Sequence, residues 1–147
     1  GPLLLSWADA RAGGPEYNVV IHEFTHKIDM VNGDADGLPP FDRRLHPRLA
    51  AGRWRAALHD AFERLNAELD LIESEIPPDV DPDSPEANRY YARLPLDAYA
   101  ATDLGEFFAV SSEAFFVSPA RLRDAFPEWY ALLAEFFLQD PLGTAGA

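Results

Sequence analysis

Apolar residues recur at helical spacing along most of this chain. Within residues 48–73, "RLAAGRWRAALHDAFERLNAELDLIE", Trp54, Leu58, Phe62, Leu65 and Leu69 follow one another at intervals of three or four. That is the stripe of a long amphipathic helix. A second helical pattern runs over about residues 17–31, with Val20, Phe24, Ile28 and Val31 opposite His22, His26 and Asp29. The apolar side is expected to anchor this helix in the core, and Asn32-Gly33 to end it. "DLGEFFAVSSEAFF" predicts a third helix over about 103–116, and a last one starts at Arg121 or Pro127 and runs to Leu138. Trp54 and Trp129 fall on helix faces and are expected in the core rather than at a ligand.

Breakers separate these segments. "GPLLLSW" (1–7) reads as a short strand and "ADARAGGPEY" (8–17) as loop. "NGDADGLPP" is turn-rich, and "IPPDVDPDSP" (76–85), with four prolines and three acids, must be an exposed loop. The architecture expected is mainly α, with at most a short N-terminal edge strand and no internal repeat. A length of 147 residues fits one domain, residues 1–147.

Composition narrows the chemistry. An apolar content of 48% with 12% aromatics describes a globular chain rather than a disordered one. Cysteine is absent, so any transition-metal site must draw on His, Asp and Glu. A formal charge of −13, from 25 acids against 12 bases, argues against nucleic acid as a direct ligand and against anionic membrane surfaces. No apolar run approaches the roughly 20 residues of a membrane span. The expected location is the cytoplasm.

The candidate chemistry lies in "HEFTH", residues 22–26. On a helix, His22 and His26 stand at i and i+4, about 5–6 Å apart at Cβ, so both imidazoles can reach one zinc ion. Glu23 projects beside them, placed to act on a water as general base rather than to bind the ion. Asp29, at i+7 from His22, shares the histidine face. A third ligand must come from elsewhere. Asn32 stands six residues after His26, where a third histidine would complete one common pattern, so that pattern fails. The later helix offers Glu106 and Glu113, seven apart and on one face among phenylalanines. Two such acids are costly to bury without a cation to meet them. The alternatives are a capping box for Asp103 and Glu106 and an ion pair of Glu113 with Arg121. Spacing alone does not choose between the two glutamates.

"HEFTHKIDMVNGDADGLP", "LDAYAATDLGEFFAVSSEAFFVSP" and "FPEWYALLAEFFLQDPL" together resemble the Mlc titration factor A family of bacterial zinc metallopeptidases. The resemblance covers nearly the whole chain and is weakest over residues 66–95. It implies a cytoplasmic, gluzincin-like enzyme with one zinc per chain, held by His22, His26 and Glu106. It makes Glu113 and Asp29 the residues that orient ligands, and gives Tyr99 a place near the metal as a hydrogen-bond donor to the oxyanion. It also implies that this chain corresponds to the catalytic C-terminal part of a longer protein, whose N-terminal part is absent here.

The function expected is hydrolysis of peptide bonds in a peptide or protein substrate, in the manner of an aminopeptidase, with Glu23 as general base. The alternative is a regulatory module that binds a transcriptional repressor of the Mlc type and needs no catalysis. Asp34 and Asp36 read as turn-forming acids. His46 and His59 lack a metal-like neighbour pattern and read as surface or helix residues.

Overall fold

The structure, a computed structural model, describes residues 19–32 and 36–143. The expected strand at 1–7, the loop at 8–17 and Asp34 lie outside the described residues. Helix α1 spans Val19–Asp29 and continues as a 3-10 turn, Met30–Asn32. The long helix α2, Ala51–Glu75, follows, then a short helix α3, Asn88–Tyr91, and a 3-10 turn, Ala98–Ala101. Helices α4, Leu104–Val117, α5, Pro119–Ala125, and α6, Pro127–Phe137, complete the order. The described residues contain no strand, and the fold is mainly α.

Prolines explain several of the helix ends. Ile76, before Pro77, takes an extended conformation with ψ 126° and closes α2, because the ring of the next residue disfavours helical backbone there. The last predicted helix is two helices. Phe126, before Pro127, leaves helical geometry at φ −136° and ψ 69°, and Pro127 opens α6, where its missing N–H costs nothing. The loop over 76–85 is largely exposed and non-helical up to Pro85, which opens a 3-10 turn, Pro85–Ala87.

Helix α4 is the hub, in contact with α1, α2, α5, α6 and the 98–101 turn. Its buried residues run without a gap from Phe107 to Phe115, the pattern of a helix apolar nearly all round and enclosed by others. Around it sits an aromatic core. The rings of Trp54 and Trp129 meet edge to face at 4.7 Å, and Phe108 and Phe136 close on Trp54 at 5.8 and 5.5 Å. Trp54 and Trp129 are thus core residues, as their spacing predicts. Trp129 also donates its indole N–H to Ser111 Oγ at 2.9 Å.

The orientation of α1 corrects an expectation. Val20, Phe24 and Val31 are 65%, 61% and 71% exposed, so this face does not anchor the helix. Of the four apolar residues named for it, Ile28 alone packs against the core, and only in part. The buried face carries His22, Thr25 and Asp29 instead, and it turns toward α4. An amphipathic pattern separates two faces but does not say which one meets a given neighbour. Here the partner helix brings carboxylates, and the polar face goes inward.

Candidate metal centre

Two helices build the centre. On α1, one turn separates His22 and His26, and their rings lie 4.7 Å apart at the centroids. On α4, Asp103 caps the helix by accepting the Glu106 N–H at 2.8 Å. This is half of a capping box, since the Glu106 side chain meets the histidines. Its Oε1 lies 2.5 Å from His26 Nε2 and its Oε2 lies 3.3 Å from His22 Nε2. The ligand-type atoms of His22, His26 and Glu106 all lie within 4.8 Å of one another. The site is recessed but reachable, with the His26 and Glu106 side chains 16% and 13% exposed.

Glu113 stands two turns further along α4 and meets the other nitrogen of the first histidine. His22 Nδ1 lies 2.5 Å from Glu113 Oε1, and both side chains are 1% exposed. The alternative pairing with Arg121 does not form. That guanidinium donates to the Ala92 and Leu94 carbonyls. The two glutamates therefore divide the labour by position: one faces the space between the imidazoles, the other lies behind His22. A carboxylate on Nδ1 fixes the ring orientation and the tautomer, with the Nε2 lone pair directed forward.

The electrostatics show what the cluster demands. Burial works against a charged His22, yet the carboxylates of Glu106 and Glu113 outweigh it and raise its pKa to about 9. Burial also works against the Glu106 carboxylate, and the two imidazoles outweigh it, bringing its pKa down to about 2. The donors thus ask for positive charge at their centre. Two Nε2 atoms face each other at 3.1 Å, which two lone pairs cannot do without a proton or a cation to share. Glu106 Oε2 is buried with only the 3.3 Å approach of His22 Nε2 and no well-formed hydrogen bond. Two imidazole nitrogens and a carboxylate are a donor set that a divalent cation such as zinc accepts, so the residues fit a metal.

Glu23 is half-buried and next to His22 on α1. Tyr99, in the 98–101 turn, brings its ring centroid 6.4 Å from that of His22. Asp97 holds the turn by accepting the Tyr99 N–H at 2.8 Å. Asp29 is fully buried, and it reaches a loop: Oδ2 accepts the Gly37 N–H at 2.8 Å. Burial raises its pKa to about 6, against the lowering effect of that bond. His46 is structural, with Nε2 on the Phe136 carbonyl at 2.7 Å and its ring stacked on Phe136. His59 is exposed on α2. The residue that sequence reasoning passed over is Gly37. The signal available was the second glycine of "NGDADG", a place where a left-handed backbone is common.

A family model described as glucose-regulated metallo-peptidase M90 matches residues 1–138. The chain belongs to this metallo-peptidase family. Among curated relatives, Mlc titration factor A of Edwardsiella ictaluri (strain 93-146) is 41% identical over 145 residues, covering 97% of this chain and 47% of the relative. The protein of the same name from Serratia proteamaculans (strain 568) is 39% identical, with the same coverage of each. That of Escherichia fergusonii is 37% identical over 147 residues, covering 97% of this chain and 46% of the relative. The chain spans about half the length of the curated relatives it matches. No helix among the described residues is long and apolar enough to cross a membrane.

Proposed function

We propose that this M90-family chain is a zinc-dependent peptidase, a single catalytic domain working in the cytoplasm on a peptide or protein substrate in the manner of an aminopeptidase. The observation that carries the reading is the convergence of His22, His26 and Glu106 from two helices onto one small volume, with Glu23 adjacent on α1. Those three side chains would hold the ion. A zinc ion there supplies a Lewis acid that polarises a carbonyl and acidifies a water.

The remaining steps belong to the protein's own residues. Glu113 keeps the proton on His22 Nδ1, so that Nε2 stays available as a donor. Glu23 accepts the proton of the attacking water and passes it to the leaving amine, which needs a carboxylate that is free to change state. The Tyr99 hydroxyl donates a hydrogen bond to the oxygen of the scissile carbonyl as negative charge gathers there.

A second reading draws on the relatives' name, Mlc titration factor A: binding of a repressor of the Mlc type, which would use a surface and not the ion. The variant Glu23→Gln separates the two. It keeps the size and shape of the side chain and removes the base. Zinc content should be retained, while hydrolysis of a chromogenic amino-acid amide should fall by on the order of 10²–10⁴. Equal rates in zinc-loaded wild type and variant would defeat the peptidase reading in favour of the binding one.

A further inference from the structure

A backbone strap hydrogen-bonded between α1 and α2 runs close against the start of α4, and nothing in the mechanism above uses it. Asp29 lies three residues after His26 on α1, and its Oδ2 accepts the Gly37 N–H at 2.8 Å. The Gly37 carbonyl accepts the indole N–H of Trp54, on α2, at 2.6 Å. Both polar groups of one peptide residue are thus held by buried side chains from two different helices.

The third side of the strap is α4. Gly37 has φ +82°, and a Cβ placed there would meet Leu58 Cδ2 at 2.7 Å and the Leu104 carbonyl oxygen at 3.0 Å. Leu104 is the first residue of α4, two before Glu106. Only glycine satisfies both the left-handed backbone and the close approach to that helix. The strap therefore starts three residues from one metal donor and ends against backbone two residues from another.

We infer that the Asp29–Gly37–Trp54 chain of hydrogen bonds sets the separation between His26 and Glu106, which makes Asp29 and Trp54 positioning residues of the metal centre. The inference rests on the metal-centre reading above. Asp29 on this account does not touch an imidazole. It acts through the loop, by fixing how far α4 stands from α1. Metal ligation is sensitive to such displacement, since donor distances must hold within about 0.2 Å.

The test is zinc affinity, measured by chelator competition at a temperature where every metal-free variant is folded by circular dichroism. Asp29→Ala removes the acceptor and should weaken zinc on the order of 10–100-fold, the usual effect of losing a supporting partner. Asp29→Asn keeps an oxygen that can face the Gly37 amide and should restore most of that affinity. Trp54→Phe removes the N–H while keeping an aromatic ring, and should weaken zinc in the same direction. The double variant Asp29→Ala/Trp54→Phe should be less than additive, because both act on one strap. Leu65→Val, in α2 and remote from the strap, serves as the control: it should lower the melting temperature without moving zinc affinity. Unchanged affinity in Asp29→Ala and Trp54→Phe, with wild type binding zinc, would overturn the inference alone. Equal weakening by Asp29→Asn and Asp29→Ala would overturn it in favour of a charge effect. Equal weakening by Leu65→Val would reduce it to ordinary stability. A wild type that binds no zinc would defeat the metal-centre reading and this inference with it.

Discussion

His22 Nδ1 and Glu113 Oε1 meet at 2.5 Å across 91 residues of sequence, with both side chains almost wholly buried. A buried carboxylate without a partner would be expensive, and so would a buried imidazole free to rotate. Each resolves the other, and the result is a ring whose second nitrogen points at His26 and Glu106. Glu113→Leu should therefore weaken metal binding on the order of 10–100-fold. Glu113→Gln, which still offers an oxygen to the Nδ1 proton, should lose less. Isothermal titration with zinc measures both, and the opposite ranking would show that Glu113 serves the fold rather than the ring.

Glu106 occupies the other role, and its loss should be more severe. Glu106→Ala leaves two imidazoles, too few for a closed or catalytic zinc site. Metal content of the purified variant should drop well below the one ion per chain expected of wild type. Retention of a full equivalent in Glu106→Ala, and its loss in Glu113→Leu, would exchange the two assignments.

Without metal, stability should depend on pH in a way that zinc removes. The folded-state pKa of His22 is about 9, above the ordinary 6.5. A raised value of this kind stabilises fully below about pH 6.5, and the contribution is lost as pH rises through 9. Glu106, brought down to about 2, contributes above its ordinary 4.5 and loses that contribution toward pH 2. Asp29 has the reverse sign: with its value raised to about 6, ionisation costs stability between its ordinary 3.8 and 6. Among the shifted groups of the described residues, His22 alone titrates between about pH 6.5 and 9, since the raised Tyr91 and Tyr130 hydroxyls act only above 10. The melting temperature of metal-free protein should thus fall between about pH 6.5 and 9, and added zinc, which takes the place of the proton, should flatten that limb. A flat profile without metal would mean that His22 holds no second proton there.

Tyr99 lies beside the centre without being one of its donors. Tyr99→Phe should leave zinc affinity and melting temperature close to wild type while lowering kcat by on the order of 10²–10³, the cost of one oxyanion donor. An unchanged kcat would return Tyr99 to the packing of the 98–101 turn.

The outward face of α1 makes a prediction of the contrary kind. Phe24, 61% exposed, should tolerate Phe24→Ala with a change of about 0.5 kcal/mol or less in urea unfolding. Phe108→Ala, at a fully buried position, should cost about 3–5 kcal/mol. A large loss at Phe24 would mean that the face is covered after all.

Much of this protein was legible in its residues because the information is local. The spacing of His22 and His26 puts both on one turn of helix whatever surrounds it. The stripe through Trp54, Leu58 and Leu65 announces α2, and the prolines at 77 and 78 announce its end. The family resemblance named Glu106. What local spacing could not supply was the relation between helices. Glu106 and Glu113 share one face of α4 and differ by two turns. Which one enters the space between the imidazoles, and which one backs His22, depends on where α1 lies along α4. The same reason hid the direction of α1. Its two faces were plain, but their assignment to core and surface follows from α4 presenting carboxylates to it. Gly37 needed still more, since its constraint comes from Asp29, Trp54 and Leu104 at once. Periodicity describes one element against an unspecified interior. Only packing decides which atoms that interior holds.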